Sequence, residues 1–300
     1  MSGERDALMK TLIIKLNATG DVVRTTVLLH RLTGEVTWLT ARNNTSLLEG
    51  IHRNLRCFAW EERHLAQDDE YDLLINLEDD LASAEFAREV RRRQQFGAYV
   101  TSDGQMAYTT EARAWFDLSL ISVYGREVAD VRKLENRRSY QEHLYRGLGW
   151  DFSGERYLLP PPVSTNLTGD VAIAPVAGPV WPMKGWAHYD RLKAELEGRG
   201  LTVNVLPRRD SLLEHFGDVS QHRCLVSGDS LPMHLSLAAG VPCVTIFNCT
   251  SPWEIHDYGL QTKLVSPLLE EHFYRRHFDP RATSAITLEQ VLSAVMERLK

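Results

Sequence analysis

Short apolar runs that alternate with segments of helical periodicity constrain the fold of this chain more than any other feature. Residues 11–16 have the character of a buried strand, and residues 22–31, which follow after a turn, keep apolar side chains at helical spacing. Such alternation is typical of α/β proteins, in which helices connect the strands of a parallel sheet. The sequence therefore predicts an α/β fold.

The same periodicity predicts the other elements. In the first half of the chain it indicates strands over residues 35–40 and 72–77, a helix over 45–51, a long helix from the end of the third strand through Arg93, and a β-hairpin around Gly104. In the second half it indicates strands over 171–174, 202–206, 224–226 and 243–247, a helix over 186–198, and a last helix that opens with a capping box at 287–290.

A run of prolines divides the chain. Residues 157–162 read Tyr-Leu-Leu-Pro-Pro-Pro, and three prolines cannot continue a helix or a central strand, so the stretch predicts a stiff extended linker. We therefore expect an N-terminal domain over 1–157, a linker over 158–168 and a C-terminal domain over 169–300. Two Rossmann-like halves that face a central cleft would hold ligands beyond the carboxyl ends of their strands.

Composition narrows the classes of function. With 34 Lys and Arg against 40 Asp and Glu, the formal charge is −6, which argues against a nucleic-acid binder because phosphate contacts need a basic face. The four cysteines lack paired spacing, so neither a disulfide framework nor a metal site is expected. Residues 1–6 are charged and no apolar run approaches the roughly 20 residues of a membrane span. We expect a cytoplasmic protein with at most peripheral membrane contact.

The first segment suited to chemistry is Gly20 and Asp21, directly after the opening strand. A small residue there permits a sharp turn, and the helix that follows offers backbone N–H groups. A carboxylate at this sheet edge can accept a proton from a substrate hydroxyl. Asp is also among the best helix N-caps, so capping stands beside catalysis as a role for Asp21, and the two do not exclude each other.

The second segment is the irregular loop over residues 175–186, between a predicted strand and a predicted helix. Loops of this length more often carry function than connect elements by accident. Lys184 in this loop can place a point charge on a phosphate group. A solvated lysine without a ligand is the alternative.

The third segment, residues 228–242, gives the strongest pattern. Asp229 or Ser230 is placed to cap a helix, with a proline in its first turn and a glycine at its end. The N-terminus of such a helix is an anion site that needs no metal. His234 lies one turn into the helix and, taken alone, reads as a structural histidine. A further polar loop over 248–254 follows the next strand.

Six short motifs, most of them in these segments, follow one another along the chain. They are Gly-Asp-x-x-x-Thr-Thr over 20–26, Lys-Gly-Trp over 184–186, Asp-Ser-x-x-x-His over 229–234, Gly-Val-Pro over 240–242, Thr-Ser-Pro over 250–252 and Tyr-Gly over 258–259. In order and spacing the set resembles glycosyltransferase family nine, the ADP-heptose:lipopolysaccharide heptosyltransferases. The resemblance touches both halves of the chain.

The resemblance implies a GT-B fold in which the N-terminal domain over 1–157 binds the acceptor and the C-terminal domain over 169–300 binds a nucleotide sugar. It implies that Asp21 is the general base and that Lys184 contacts the diphosphate region of the donor. The motif that starts at Asp229 is implied to lie against the phosphates and sugar of the donor, and the other implied donor contacts are Ser230, Leu231, His234 and Thr250. No cofactor is implied beyond the nucleotide sugar itself, with ADP-heptose as the expected donor.

Four departures from the family pattern bear on the donor. Leu231 replaces a glycine, which bears on how closely the backbone approaches a phosphate. Asn-Cys at 248–249 stands where Gly-Pro is usual. Residues 206–210 replace a Gly-Gly segment, and Asp210 is the candidate for holding the ribose. Residues 271–277 lack the cysteines of some relatives. The base and the sugar of the donor therefore stay open.

The predicted reaction is inverting, metal-independent transfer of a sugar to an acceptor hydroxyl on a glycan, a lipid-linked molecule, a protein or a small molecule. Arg91, Arg92 and Arg138 are candidates for binding an anionic acceptor, and a solvated helix face is the alternative for them. Two other functions stay open: a sugar-nucleotide epimerase or hydrolase of the same fold, and a non-catalytic scaffold. Donor turnover without acceptor would indicate the former, and an uncleaved donor the latter.

Overall fold

The computed structural model describes residues 9–118, 124–178 and 180–300. Two predictions touch residues outside these ranges: the charged start of the chain over 1–6, and Pro179 in the loop over 175–186. The chain forms two compact units, the first from Met1–Ala129 and Tyr140–Pro160, the second from Asp130–Ser139 and Pro161–Lys300. The segment Asp130–Ser139 thus groups with the second unit, although its neighbours in sequence on both sides belong to the first.

The first unit contains a six-stranded sheet. Its strands are β1 (Lys10–Ile14), β2 (Glu35–Thr40), β3 (Leu55–Ala59), β4 (Glu70–Asn76), β5 (Arg91–Val100) and β6 (Met106–Tyr108). Their spatial order is β3-β2-β1-β4-β5-β6, with β1 to β5 parallel and β6 antiparallel to β5. The predicted hairpin is confirmed, and Gly104 in its turn has a φ of +82°, which favours glycine.

The strand order of this sheet reverses between β1 and β4. The chain adds β2 and β3 on one side of β1 and then returns to add β4 and β5 on the other. Leu12 of β1 accordingly pairs with Thr37 on one side and with Leu74 on the other. In open parallel sheets, ligands bind beyond the carboxyl ends of the strands at such a reversal. The loops after β1 and β4 are therefore the ones that position a site in this unit.

Short helices lie between these strands or follow the last of them. They are α1 (Thr19–Thr25), α2 (Thr45–Leu48), α3 (His64–Gln67), α4 (Leu81–Glu89), α5 (Arg113–Phe116), α6 (Arg126–Glu135) and α7 (Tyr140–Gly147), with 3-10 turns over Thr26–His30, Arg42–Asn44 and Trp60–Glu62. Apolar residues of the sheet and α4 form the core of the unit, among them Leu12, Ile14, Leu39, Leu74 and Phe86.

The prediction of a long helix through Arg93 is wrong. α4 ends at Glu89, and Arg91 and Arg92 already belong to β5. The polar start of this strand has helical composition, but the second half of the same strand is apolar and mostly buried. Pairing with β4 along the strand outweighs local helix propensity. These two arginines consequently do not lie on a helix face.

The second unit contains a five-stranded sheet whose neighbouring strands are all parallel. Its strands are β7 (Gly169–Ala174), β8 (Val203–Val205), β9 (His222–Gly228), β10 (Cys243–Phe247) and β11 (Gln261–Val265). The spatial order β11-β10-β9-β7-β8 reverses between β7 and β9. The loops after these two strands are therefore expected to position a ligand.

The helices of the second unit include the one predicted within residues 228–242. They are α8 (Tyr189–Glu197), α9 (Leu212–Ser220), α10 (Leu231–Ala239), α11 (Leu269–His272), α12 (Pro280–Ser284) and α13 (Leu288–Arg298), with a 3-10 turn over Pro182–Lys184. Gly240 ends α10 with a φ of +74°, and Thr287 forms the predicted capping box with Gln290. Within the described ranges, no helix has both the length and the apolar character that crossing a membrane requires.

Candidate functional site

Glu78, which follows β4, fixes the loop between β1 and α1. Its Oε1 accepts hydrogen bonds from the backbone N–H groups of Leu16 at 2.6 Å and Asn17 at 3.2 Å. The same oxygen lies 2.7 Å from Nζ of Lys15, and the two side chains are only 12% and 6% exposed. A buried ion pair with added backbone hydrogen bonds restricts the positions of its groups, because separating them would leave a buried charge without a partner. The loop after β1 is therefore held from the side of β4.

Asn44, which follows β2, holds the same loop from the other side. This fully buried side chain donates from Nδ2 to the carbonyl oxygen of Leu16 at 2.8 Å. Its Oδ1 accepts a hydrogen bond from the hydroxyl of Thr19 at 2.8 Å. The start of α1 is thus fixed by residues from both neighbouring strands.

Asp21 lies in the first turn of α1 and does not cap it. The helix begins at Thr19, its N-cap is Ala18, and the backbone N–H of Asp21 donates to the carbonyl oxygen of Ala18 at 2.8 Å. The predicted capping role of Asp21 is therefore wrong, because the helix starts earlier than the sequence indicates. A carboxylate in the first turn still interacts favourably with the helix dipole.

Arg24 and Tyr140 surround Asp21. Nε and Nη2 of Arg24 lie 3.0 Å and 2.8 Å from the same carboxylate oxygen of Asp21, Oδ1. The Arg24 guanidinium lies 3.9 Å from the centroid of the Tyr140 ring. The hydroxyl of Thr25 donates to the carbonyl oxygen of Asp21 at 2.6 Å and lies 2.7 Å from the hydroxyl of Tyr140. Both the side chain and the backbone of Asp21 therefore belong to one closed network.

The second threonine of the Thr-Thr motif has a structural role. Thr26 donates from its hydroxyl to the carbonyl oxygen of Val23 at 2.6 Å and accepts a hydrogen bond from the backbone N–H of Leu158 at 2.9 Å. The motif thus ties α1 to α7 through Thr25 and to the proline segment through Thr26.

Lys184 and Asp229 meet in the second unit, where the strand order reverses. Lys184 follows β7, Asp229 follows β9, and Nζ of the lysine lies 3.1 Å from Oδ2 of the aspartate. The side chains are 18% and 14% exposed. Gly228 allows this approach, because a Cβ atom at that position would lie 2.3 Å from the carbonyl oxygen of Lys184. Two predicted donor residues are therefore in contact.

α10 begins directly beyond Asp229. Of the two predicted candidates, Ser230 is the N-cap residue, but its side chain makes no capping hydrogen bond. Leu231 is the first residue of the helix and is partly exposed, whereas His234 is 5% exposed. The N-terminus of this nine-residue helix provides backbone donors and a positive dipole end beside Lys184.

The loop after β10 contacts the Lys184 segment. Asn248 donates from Nδ2 to the carbonyl oxygen of Gly185 at 2.8 Å. Thr250 is 2% exposed. Within the described part of the chain, four buried side-chain oxygens here have no hydrogen-bond partner: Ser227 Oγ, Asn248 Oδ1, Thr250 Oγ1 and Ser251 Oγ. An unpaired buried polar group costs about 1–3 kcal/mol. Groups kept at that cost are typical of functional sites.

Two residues outside the predicted motifs hold this loop in place. Lys263 of β11 donates to the carbonyl oxygens of Pro252 at 2.8 Å and Ile255 at 2.5 Å, and burial lowers the pKa of its ammonium group. The backbone N–H of Tyr274 donates to the carbonyl oxygen of Cys249 at 2.7 Å. Burial raises the pKa of the Cys249 thiol to about 12, so this cysteine stays protonated.

The segment Asp130–Ser139 adds contacts between cations and aromatic rings. The guanidinium of Arg137 lies 3.9 Å from the centroid of the Trp253 ring, and Nζ of Lys133 lies 4.0 Å from that of Tyr274. Trp253 lies in the loop after β10, and Tyr274 is the residue whose backbone N–H donates to Cys249 in that loop. Arg138, a predicted acceptor residue, lies beside Arg137 with its side chain exposed.

The remaining predicted residues lie apart from these contacts. Arg91 and Arg92 are at the amino-terminal end of β5, whereas Asp21 follows the carboxyl end of β1. Since the strands between them are parallel, the structure does not bring the two arginines to Asp21. Burial lowers the pKa of Arg92. Asp210 is exposed and lies one residue before Ser211, the N-cap of α9.

A cluster of metal-ligating residue types lies before α12. Nε2 of His272 is 3.9 Å from a carboxylate oxygen of Glu271 and 3.8 Å from one of Asp279. Nη2 of Arg281 lies 2.6 Å and 2.7 Å from those same two oxygens. A protein cation therefore already neutralises the carboxylates, and we assign no metal to the cluster.

Comparison with protein families identifies part of the chain. Residues 180–277 match glycosyltransferase family 9 (heptosyltransferase). This range includes Lys184, Asp229 and Thr250 and does not include Asp21. No curated protein sequence matches the chain.

Solved structures extend the likeness to the whole chain. Escherichia coli heptosyltransferase WaaC with ADP-2-deoxy-2-fluoro heptose is similar with a TM-score of 0.64 and 17% identity, over 96% of this chain and 99% of that chain. A family 9 glycosyltransferase from Veillonella parvula gives 0.63 and 15%, over 98% of both chains. The E. coli ADP-heptose lipopolysaccharide heptosyltransferase II gives 0.60 and 15%, over 97% and 98%.

At identities this low, the similarity to these structures shows the fold alone. The predicted α/β architecture of the GT-B type, with two Rossmann-like domains, is confirmed. Residues 180–277 match the glycosyltransferase family 9 model, so the predicted resemblance to this family is confirmed over that part of the chain.

Proposed function

We propose that the chain is an inverting, metal-independent glycosyltransferase that moves a sugar from a nucleoside diphosphate donor to an acceptor hydroxyl. The observation that carries this proposal is the contact of Lys184 with Asp229 at 3.1 Å, directly before the N-terminus of α10. A cation beside a helix N-terminus suits a diphosphate, whose negative charge grows as the sugar leaves it.

Lys184 is proposed to bind the leaving diphosphate. An ammonium group has three donors, so a lysine held by one carboxylate keeps donors for phosphate oxygens. The backbone N–H groups at the start of α10 add to this field. Preorganised donors of this kind contribute about 10²–10³-fold each to the rate. Since fixed protein charges stabilise the leaving group, the proposed reaction needs no metal ion and no cofactor besides the donor.

Asp21 is proposed as the general base. Its carboxylate takes the proton of the acceptor hydroxyl as that oxygen forms a bond to the anomeric carbon, while the bond from this carbon to the diphosphate oxygen breaks. Attack from the face opposite the leaving group inverts the configuration. The side chain is 34% exposed, which leaves it accessible to a hydroxyl. A positioned base contributes about 10²–10⁴-fold.

The donor proposed first is ADP-heptose. WaaC, which is similar in fold, was solved with an ADP-heptose analogue. Leu231, at the start of α10, and Asn248, which contacts the backbone of Gly185, both depart from the family pattern. Other nucleotide sugars therefore belong in the same test.

Thermal unfolding with ADP-heptose and with ADP-, UDP-, GDP- and dTDP-hexoses tests the proposal. A ligand at 100 times its Kd stabilises the folded state by about 2.7 kcal/mol, so the true donor raises Tm. Release of the nucleoside diphosphate that depends on an added acceptor would support transfer. Equal donor turnover without acceptor would indicate a hydrolase or epimerase, and a bound but uncleaved donor would indicate a scaffold. If none of the nucleotide sugars changes Tm, the proposal is contradicted.

A further inference from the structure

Arg24 occupies a position that the Gly-Asp-x-x-x-Thr-Thr motif leaves unspecified, yet it makes the hydrogen bonds to Asp21 described above. Two of its nitrogens, Nε and Nη2, lie 3.0 Å and 2.8 Å from one carboxylate oxygen of Asp21. The Arg24 side chain is 12% exposed, and that of Asp21 is 34% exposed. The arginine is therefore mostly buried behind a carboxylate that stays accessible.

Tyr140 holds the arginine. Tyr140 is 6% exposed, and the centroid of its ring lies 3.9 Å from the guanidinium carbon of Arg24. Burial raises the pKa of the Tyr140 hydroxyl, which therefore stays protonated. The hydroxyl of Thr25 uses its single hydrogen on the carbonyl oxygen of Asp21, so Tyr140 is the donor in the 2.7 Å contact with Thr25. The contacts thus form a closed circuit: Asp21 binds Arg24, and Arg24 packs on Tyr140. Tyr140 donates to Thr25, which donates to the backbone of Asp21.

We propose that Arg24 and Tyr140 are positioning residues for the Asp21 carboxylate. Arg24 fixes one carboxylate oxygen, which sets the plane of the group, and Tyr140 limits the arginine to one rotamer. This inference rests on the proposed role of Asp21 as the base. Catalysis is sensitive to such geometry, because displacing a reacting group by about 1 Å costs about 100-fold.

Two other charged groups, which follow β1 and β4, form a pair of their own. Lys15 and Glu78 lie at the ends of β1 and β4 and form their own ion pair at 2.7 Å. The Tyr140 hydroxyl interacts electrostatically with Asp21, Arg24 and Glu78. Among these groups, Arg24 is the cation that contacts the Asp21 carboxylate directly. Removing its charge makes that carboxylate easier to protonate.

The test compares Arg24→Gln with Arg24→Lys, Tyr140→Phe and a matched control. We expect Arg24→Gln to lower kcat between about 10- and 100-fold, with donor KM within about twofold, since orientation is lost but donor binding is not. The acid limb of its pH–rate profile should move to higher pH. Arg24→Lys keeps the charge and should keep the acid limb in place, with a smaller loss of kcat. Tyr140→Phe should lower kcat less than Arg24→Gln.

Arg31 provides the control. It pairs with Glu155 at 2.5 Å and lies 5.7 Å from the centroid of the Tyr145 ring, so Arg31→Gln removes a similar set of contacts in the same unit. Its kcat and acid limb should match the wild type. If Arg24→Gln behaves like Arg31→Gln in both, the proposal is overturned. If Arg24→Gln does not fold, Arg24→Lys against Arg31→Lys carries the test, and equal kcat values overturn it.

Asp21→Asn separates this inference from the proposed function. Wild-type turnover in Asp21→Asn means that the base is wrongly assigned. An inactive Asp21→Asn together with a fully active Arg24→Gln overturns only the positioning role of Arg24.

Discussion

Replacing Lys184 by alanine probes the proposed donor site at its centre. Alanine removes the cation 3.1 Å from Asp229 and leaves the carboxylate, whose side chain is 14% exposed, facing the diphosphate. Loss of one preorganised donor to the leaving group costs about 10²–10³-fold, so kcat/KM should fall by that factor. Breaking a fully buried ion pair costs about 3–5 kcal/mol and an exposed one at most about 1, so this pair, with its remaining exposure, should cost between about 1 and 3 kcal/mol of stability.

Initial rates of nucleoside diphosphate release and urea unfolding measure the two effects separately. Lys193 is the control, because it pairs with Glu197 on the surface of α8, and its side chain is 34% exposed. Lys193→Ala should keep wild-type kinetics and lose less than about 0.5 kcal/mol. A loss of less than about fivefold in kcat/KM for Lys184→Ala would refute the assignment of Lys184 to the leaving group.

Three further substitutions test the structure around the site. Glu78→Gln leaves Lys15 buried without a charge partner and should cost about 3–5 kcal/mol in urea unfolding; a loss below about 1 kcal/mol would contradict the buried pair. Lys263→Met removes two hydrogen bonds of about 1.5–3 kcal/mol each and should lower Tm and raise donor KM, whereas an unchanged KM would exclude a link from β11 to the donor loop. Burial raises the pKa of the Asp218 carboxyl, but the hydrogen bonds from Arg209 and Thr165 outweigh burial, so its pKa is lowered. Wild-type stability should therefore fall as the pH drops below about 4, and the stability of Asp218→Asn should fall less.

The strands whose bounds the sequence predicted correctly are almost fully buried. β2 and β10 have the predicted bounds, and both are flanked by other strands on either side. β3 and β11 were not predicted, and they lie at the edges of their sheets. Their sequences, Leu-Arg-Cys-Phe-Ala and Gln-Thr-Lys-Leu-Val, are only partly buried, so selection for an apolar run is weak there.

Part of the site could be predicted from local sequence, because the junction between a loop and a helix has a short sequence pattern. The helix after Asp229, its N-cap at Ser230 and its end at Gly240 all follow the predicted order. The position of Asp21 within its helix was misjudged, because the loop before α1 is fixed by Glu78 and Asn44, which are distant in sequence.

The residues that support the site could not be predicted from spacing. Thr25 and Tyr140 are 115 positions apart, and Lys15 and Glu78 are 63 apart, so no local pattern connects them. Lys263 lies on an edge strand that the sequence did not reveal. The sequence does contain signals for Glu78, which starts an acidic run, and for Arg24, which lies inside the Gly-Asp-x-x-x-Thr-Thr motif. Their meaning depends on partners that only the fold supplies.

The most direct test of the account is the rate of sugar transfer by Asp21→Asn at saturating donor, measured beside its donor Kd by calorimetry. Asparagine keeps the size of the side chain and removes its capacity to take a proton. We expect kcat to fall by at least about 100-fold while the donor Kd stays within about twofold of the wild type. Near-normal transfer by this variant would contradict the account.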